Sequence, residues 1–489
     1  MKKFLAVLFA LGIVCLIYAV YDYGLIDMDL FVSNTTVIHE TVEIETPDGV
    51  KTFDEISKKY EDAIKKIETG YQNQFDNIRL KSCRITVDEL EEIVKYLKTN
   101  CFYYYVDSNY TYFSDGQYIT SINPRYTMSA EEIKETDRFI HSMIDDIAKQ
   151  ASSYKTDIEK LIFIHNYLVE NLEYGNDDSS ENNIYGALVL KKTKCVGYSE
   201  AFRYIAEKAG IKTYIVSSSK LAHAWNMVLI NGNYFFVDCT WDDPILDKVN
   251  LSNDPLSGYG CYKYFLCSEA NYMKNEHKAT DWTVNGENIK GIAVTTAYDN
   301  FLWRDYGSLM RYSKGSWYHD YGYSGENITN SNDVKFSIDK ITFSGNTKYE
   351  QETVRTIRTC WKMGMEFYDA FESTLQCIED DLYYFTAEGI YRLDEKGRLN
   401  GKKDLRVFKN PKFNNIYDFD IDVLNGKFTV MYGSTDAYTK NNAAKETYKI
   451  ADYFCKAGDH LYSVDKEKSN QNEKVYKCIF CQKTTNETE

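Results

Sequence analysis

Hydrophobic and polar positions divide the chain into stretches of different period. Phe4 to Val20 is an uncharged apolar run of 17 residues, with Lys2 and Lys3 before it and Asp22 after it. That length sits at the lower edge of what spans a bilayer. The lysine pair predicts a cytoplasmic N-terminus with everything beyond the run outside. Ile17-Tyr18-Ala19 is a poor cleavage sequence, so residues 1–23 read as a retained anchor in preference to a removed signal. Gly24 to Val50 shows no helical period and reads as a stalk or a first strand.

From about Phe53 the pattern turns helical, then Tyr-rich and strand-like at Phe102-Tyr103-Tyr104-Tyr105-Val106 and from Tyr110 to Phe113. Two capping boxes follow. Ser129 with Glu132 opens a helix carrying Ile133, Ile140, Met143, Ile144 and Ile147 on one stripe, and Thr156 with Glu159 opens another carrying Ile158, Leu161, Ile162, Leu168, Val169 and Leu172. His165 falls on the second stripe and is expected to be a satisfied core residue. Beyond about Lys290 the pattern becomes that of short strands separated by Gly turns, as in Gly315 to His319, Asp381 to Phe385, Gly389 to Leu393 and Asn425 to Val430. This predicts propeller-like blades or a sandwich, without a fixed period.

A third helix is predicted after Cys195. Tyr198, Ala201, Phe202, Ile205, Ala206 and Ala209 recur at helical spacing, and Gly210 supplies the stop. Cys195 therefore stands at a helix N-terminus, where the dipole and the unpaired N–H groups favour a thiolate. Asn231-Gly232 is a strong hairpin signal between an apolar run from His223 to Ile230 and a second from Asn233 to Thr240. With those two residues as the loop, Ile230 faces Asn233 and Trp225 faces Asp238, so His223 and Asp238 share one sheet face as diagonal neighbours. A one-residue slip would separate them. A helix-terminal thiol together with an imidazole and a carboxylate on one face is the requirement of nucleophilic catalysis.

Composition alters this picture in two ways. The 57 basic and 73 acidic residues leave a net charge of −16, which argues against a nucleic-acid partner. Against that background Asn182 to Ser199 contains no acidic residue, while Lys191, Lys192 and Lys194 lie just ahead of the thiol and are expected to favour its anion. The 43 Tyr cluster in the strand-like parts.

Cys195-x-Gly197-Tyr198, His223-Ala224-Trp225-Asn226 and Val237-Asp238-x-Thr240-Trp241-Asp242-Asp243-Pro244, in that order, resemble the transglutaminase-like superfamily in its bacterial extracellular branch, over about Asp157 to Asp281. The resemblance implies a papain-like α+β core with Cys195 as nucleophile, His223 as general base and acid, and Asp238 as its partner. It implies no cofactor for catalysis, and it offers Tyr185 as a helper of the Cys195 N–H in holding an oxyanion. Val196 stands where cross-linking members of the family carry Trp, which puts cross-linking in doubt. Lys194 stands where relatives carry a small or apolar residue.

The tail holds Cys455-x4-His460 and Cys478-x2-Cys481, a ligand spacing suited to tetrahedral zinc, and Lys477 to Cys481 resembles a zinc-ribbon turn. Disulfides are the alternative outside the cell. Setting aside Cys15 and Cys195, ten of the 12 Cys remain and can pair evenly, whereas His460 has a role only with a metal. Cys239 is expected to be a core thiol.

The sequence thus predicts an α+β protein in five parts: a membrane helix (1–23), a stalk and mixed helical lead-in (24–150), a papain-like, transglutaminase-like catalytic core (151–285), a β-rich region (286–450) and a Cys/His tail (451–489). The expected function is cysteine-dependent acyl transfer on amide bonds of proteins or peptides at the cell surface, with hydrolysis preferred to cross-linking. The alternative is a catalytically inert surface binding or adhesion protein. The expected location is the cell membrane, single-pass with the bulk outside, or secretion if the N-terminal segment is cleaved.

Overall fold

The computed structural model describes residues 37–43, 50–175, 181–243, 260–274, 278–322, 336–357, 361–363, 366–368, 375–386, 389–395, 404–411, 415–433, 444–465, 468–469 and 474–485. The predicted anchor lies outside them. Among the described residues no helix is long and apolar enough to cross a membrane.

The lead-in forms a small α/β unit. Helices α1 (Glu61–Gln72) and α2 (Val87–Asn100) enclose a core of their own with Leu80, Ile119 and Ile122. The Tyr-rich run expected as a strand does not become one. Residues 102–105 turn instead, with Tyr103 N–H bonded to the Cys101 carbonyl at 3.0 Å and Val106 N–H to that of Tyr103 at 3.1 Å. The turn sends consecutive rings to different neighbours, Tyr103 onto Tyr71 and Tyr104 onto Tyr185. Only Thr111–Ser114 extends as a strand.

Both capping boxes form. Helix α3 (Ala130–Ala151) starts at Ser129 and α4 (Asp157–Asn171) at Thr156, each with reciprocal bonds to a glutamate three residues on. Helix α5 (Cys195–Lys208) ends at Gly210, whose φ of +90° favours a residue without Cβ. These three helices cover one face of a six-stranded antiparallel sheet of order β4-β3-β2-β1-β5-β6. Its strands are β1 (Thr213–Ser218), β2 (His223–Ile230), β3 (Asn233–Val237), β4 (Phe265–Cys267), β5 (Thr283–Val284) and β6 (Glu287–Asn288). Alternation along β2 and β3 sorts the side chains between faces. Val228, Ile230, Phe235 and Val237 join the core under the helices, whereas Trp225, Met227, Tyr234 and Phe236 join a second aromatic core.

The predicted hairpin register holds, with Ile230 opposite Asn233 and Asn226 opposite Val237. The return strand is shorter than expected. It stops at Val237, and Asp238 caps a one-turn helix, Cys239–Asp242, by accepting the Trp241 N–H at 3.2 Å. Cys239 is buried there as a free thiol, as expected.

Among the described residues the β-rich region is a succession of antiparallel sheets. Strands β7 (Arg311–Ser313), β8 (Ser316–Gly322), β9 (Phe336–Gly345) and β10 (Lys348–Ile357) form one sheet, and Val37–Thr41 pairs along the free edge of β10. The stretch read as a stalk or a first strand therefore contains a sheet strand. Trp317, Ile341, Phe343 and Tyr349 of this sheet enter the same core as α3 to α5. Burying each such large side chain contributes about 1.5–3 kcal/mol, which fastens the sheet to the core. A four-stranded meander over 376–409 and a three-stranded one over 415–449 share a further core.

Candidate active site

Helix α5 begins at the thiol because of what precedes it. Lys194 provides no side-chain cap, and Asn182, 14 positions before Val196, supplies one from outside the helix. Its Oδ1 accepts the backbone N–H groups of Val196 at 2.9 Å and Gly197 at 3.4 Å. The Cys195 N–H is left out of these bonds. Gly197 is required by close approach: a Cβ there would stand 2.7 Å from the Asn183 carbonyl oxygen and nearer still to Thr193 Oγ1. Asn226 of β2 donates to the Ser199 carbonyl at 2.9 Å, which fixes α5 against the strand that carries the imidazole.

His223 opens β2, and its Nε2–H donates to Asp238 Oδ2 at 2.7 Å. The ring also hydrogen-bonds with the Cys195 sulfur. Because Nε2 is committed to Asp238, Nδ1 is the nitrogen left for the thiol. The sequence-predicted trio of Cys195, His223 and Asp238 is thus brought together. Both Cys195 and Asp238 are buried, at 7% and 1% exposure. Burial alone would push the His223 imidazolium down. The Asp238 carboxylate and the neighbouring thiol outweigh it and hold the group up, at about 10. The imidazole therefore stays protonated at neutral pH, as an acid for a departing amine must.

Three further groups complete the arrangement. Tyr272 donates its hydroxyl to Asp238 Oδ2 at 2.7 Å. Trp225 stacks on His223 with centroids 5.7 Å apart, and Tyr272 stacks on Trp225 at 5.0 Å. Trp241 meets the other side of the imidazole edge-on at 6.2 Å. These rings exclude water from the imidazole–carboxylate bond and strengthen it. Beside the thiol, Val196, Ile215 and Ala224 pack around Cys195 and also line a cavity of about 560 Å³ that reaches Asn182, Glu200 and Tyr104. Tyr104 belongs to the lead-in unit, which therefore forms one wall of this cavity.

Tyr185 heads the π-helical turn Gly186–Leu190 and stacks on Tyr104 at 5.7 Å. Two of the three preceding lysines have partners away from the thiol: Lys192 pairs with Glu173 at 3.5 Å, and Lys191 lies over the Tyr167 ring. Neither Asn182 nor Tyr272 carries a signal in sequence, since each reaches the site from a remote segment. His165 is fully buried, with Nε2 at 3.1 Å from Asp242 Oδ2 and Nδ1 at 3.2 Å from Asn166 Oδ1, which is the core role expected of it.

In the tail, Cys455, His460, Cys478 and Cys481 come together, with their donor atoms all within 4.8 Å of one another.

Residues 145–239 match the family described as the transglutaminase-like superfamily. Two curated relatives are the kyphoscoliosis peptidase of Mus musculus, 24% identical over 127 residues, and that of Homo sapiens, 24% identical over 129 residues. Each alignment takes in 22% of this chain and 19% of the relative, so the chain spans about a fifth of the length of the curated relatives it matches. Among solved structures, a transglutaminase aligns with 32% of this chain and 49% of its own at 13% identity, with a TM-score of 0.20.

Proposed function

Proceeding from a transglutaminase-like domain at residues 145–239, we propose that this chain is a cysteine-dependent acyl-transfer enzyme acting on amide bonds of proteins or peptides. The observation that carries the reading is one imidazole bonded on one side to a buried carboxylate and on the other to a thiol at a helix N-terminus. In the proposed cycle the Cys195 sulfur attacks the amide carbonyl, and the carbonyl oxygen takes on negative charge. The Cys195 N–H and the Asn182 side-chain amide, whose oxygen is already engaged by α5, are the donors that would stabilise it. His223 passes its proton to the departing amine, and a thioester on Cys195 remains. Water, deprotonated by the now neutral His223, then attacks the thioester, and departure of the sulfur releases the acid and leaves the Cys195 thiolate beside the protonated imidazole, ready for the next cycle.

We favour water over a lysine amine as acceptor, because Val196 stands in place of the Trp of cross-linking relatives and because the curated relatives are named peptidases. The proposed location is the outer face of a cell membrane, held by residues 1–23. The test is to incubate the chain with a peptide library, quench in acid, and measure intact mass. An acyl increment on Cys195, absent from Cys195→Ala, is expected together with new peptide carboxyl termini. Incorporation of an added primary amine into the peptides would redirect the reading to transfer. Failure of iodoacetamide to modify Cys195 selectively near neutral pH would overturn it.

A further inference from the structure

The tail cluster is remote from the triad in sequence and plays no part in the chemistry proposed above. Cys455 lies in the turn Cys455–Ala457, just after Phe454, while Cys478 ends the strand Tyr476–Cys478. Between them the chain passes through Asp459, which is buried and held by the Tyr383 hydroxyl at 2.7 Å and by Arg392 Nη1 at 2.6 Å. Both partners belong to the four-stranded meander, so the backbone on either side of Asp459 is fixed to the β-rich region, and His460 follows directly.

The second pair is set by a tight turn. Cys478 N–H donates to the Lys483 carbonyl at 2.8 Å, and Gln482 N–H returns to the Cys478 carbonyl at 3.0 Å. Gln482 adopts φ of +67°, the conformation glycine would supply at this position, so the turn closes although no Gly follows Cys481. Within it the Cys478 sulfur accepts the backbone N–H groups of Phe480 and Cys481, an arrangement that suits a thiolate.

Distances separate the two readings left open by sequence. A disulfide requires sulfurs about 2.05 Å apart, yet Cys455 Sγ and Cys478 Sγ are 3.7 Å apart and none of Cys455, Cys478 and Cys481 is in a disulfide. A tetrahedral zinc with Zn–S near 2.3 Å and Zn–N near 2.05 Å sets its ligands about 3.8 Å apart for two sulfurs and about 3.6 Å for sulfur and nitrogen. The observed pairs are 3.7 Å for Cys455–Cys478 and 3.4 Å for Cys481 Sγ to His460 Nδ1. Three cysteines and one histidine are a zinc donor set of the structural kind, with no position left open for substrate.

We propose that Cys455, His460, Cys478 and Cys481 bind one zinc ion, which closes the C-terminal tail onto the β-rich region. His460 ligates through Nδ1, the nitrogen facing the sulfurs. Nε2 then carries the ring proton, and the exposed Lys483 ammonium, 3.3 Å away, swings outward. Binding displaces the protons of the three thiols to solvent, so uptake is weakened by acid. The ion secures what apolar contacts begin: Phe454 stacks on Tyr383 at 5.4 Å, and Phe480 packs against the same core.

The test uses the full chain, incubated with zinc sulfate and then dialysed. One zinc per chain is expected by elemental analysis, with X-ray absorption at the zinc edge fitting three sulfurs and one nitrogen. Cys478→Ser and Cys481→Ser should lose the metal, whereas Cys195→Ala should keep it. Removing the ion with a chelator should make the tail beyond residue 450 cleavable by trypsin and leave alkylation of Cys195 unchanged. Zinc content far below one per chain, an oxygen-rich coordination shell, or a Cys455–Cys478 disulfide in non-reducing peptide mapping would each overturn the proposal. The absorption measurement on the unaltered chain decides the matter even if the serine variants fail to fold.

Discussion

Two imidazole–carboxylate pairs among the described residues look alike on paper, His223–Asp238 and His165–Asp242. Both carboxylates are buried, and both histidines bond through Nε2, at 2.7 Å and 3.1 Å. They differ in what lies on the far side of the ring. His165 Nδ1 meets Asn166, itself bonded to the Tyr262 hydroxyl and the Met310 carbonyl, so the pair ends in a closed, fully buried network joining α4 to the β-rich sheet. His223 sits at the first residue of its strand, keeps 10% of its side chain exposed, and meets a thiol at the end of a helix. Pairing with an aspartate therefore does not mark a catalytic histidine. What sets His223 apart is its place at the end of an element, beside a helix-terminal thiol.

That contrast can be broken in stages. The largest effect is expected from Cys195→Ala, which should lower amide-bond turnover on the order of 10⁶-fold, the scale seen when a covalent nucleophile is removed, as read by single-turnover peptide cleavage. Asp238→Asn comes next, with a loss of about 10⁴-fold, the scale of losing an orienting carboxylate. It should also change the pH profile. With His223 held at about 10, turnover needs the imidazolium and should fall as pH rises through that value; without the carboxylate the alkaline limb should move down by several pH units. An alkaline limb unmoved in Asp238→Asn would place the titrating group elsewhere.

Asn182→Asp should cost less, about 10²–10³-fold in kcat, the usual scale for one oxyanion donor. The carboxylate still accepts the Val196 and Gly197 N–H groups, so the helix should start unchanged and thermal unfolding should hardly move; a comparable fall in stability would make Asn182 a cap and nothing more. The smallest effect on chemistry is expected from His165→Ala. Turnover per folded molecule should stay within a few-fold of the unaltered chain, whereas opening a buried pair costs about 3–5 kcal/mol, readable by urea unfolding. A loss of turnover larger than the loss of folded protein would erase the distinction between the two pairs.

What sequence made legible follows the reach of each rule. Ser129 with Glu132, Thr156 with Glu159, and Asn231-Gly232 act over a few residues, and each did what its spacing predicts. The triad was readable because the hairpin register and the helix start are both local, and the register then carries His223 to Asp238. Tyr272 and Asn182 contribute through contacts no local pattern encodes. The end of β3 at Val237 escaped for a related reason: Asp238 is drawn into a cap by Trp241 N–H, and a cap outcompetes one more residue of strand. The aromatic run at 102–105 reads as strand by composition, yet its rings have partners in several directions and the backbone bends to serve them. Much of the tyrosine content finds its use in such ring contacts within cores.

The strand Val37–Thr41 lies on the outer edge of β10, and Glu40 bonds to Tyr349, 309 positions later. On the ribosome Glu40 is made 309 positions ahead of Tyr349, so this segment must wait before its partner exists. The loop it closes is among the longest the molecule contains, so its pairing is a late step in folding. Until then the exposed edge of β10 is open to strands from other nascent copies, and the yield of correctly folded protein should depend on how soon the chain's own N-terminal strand arrives there.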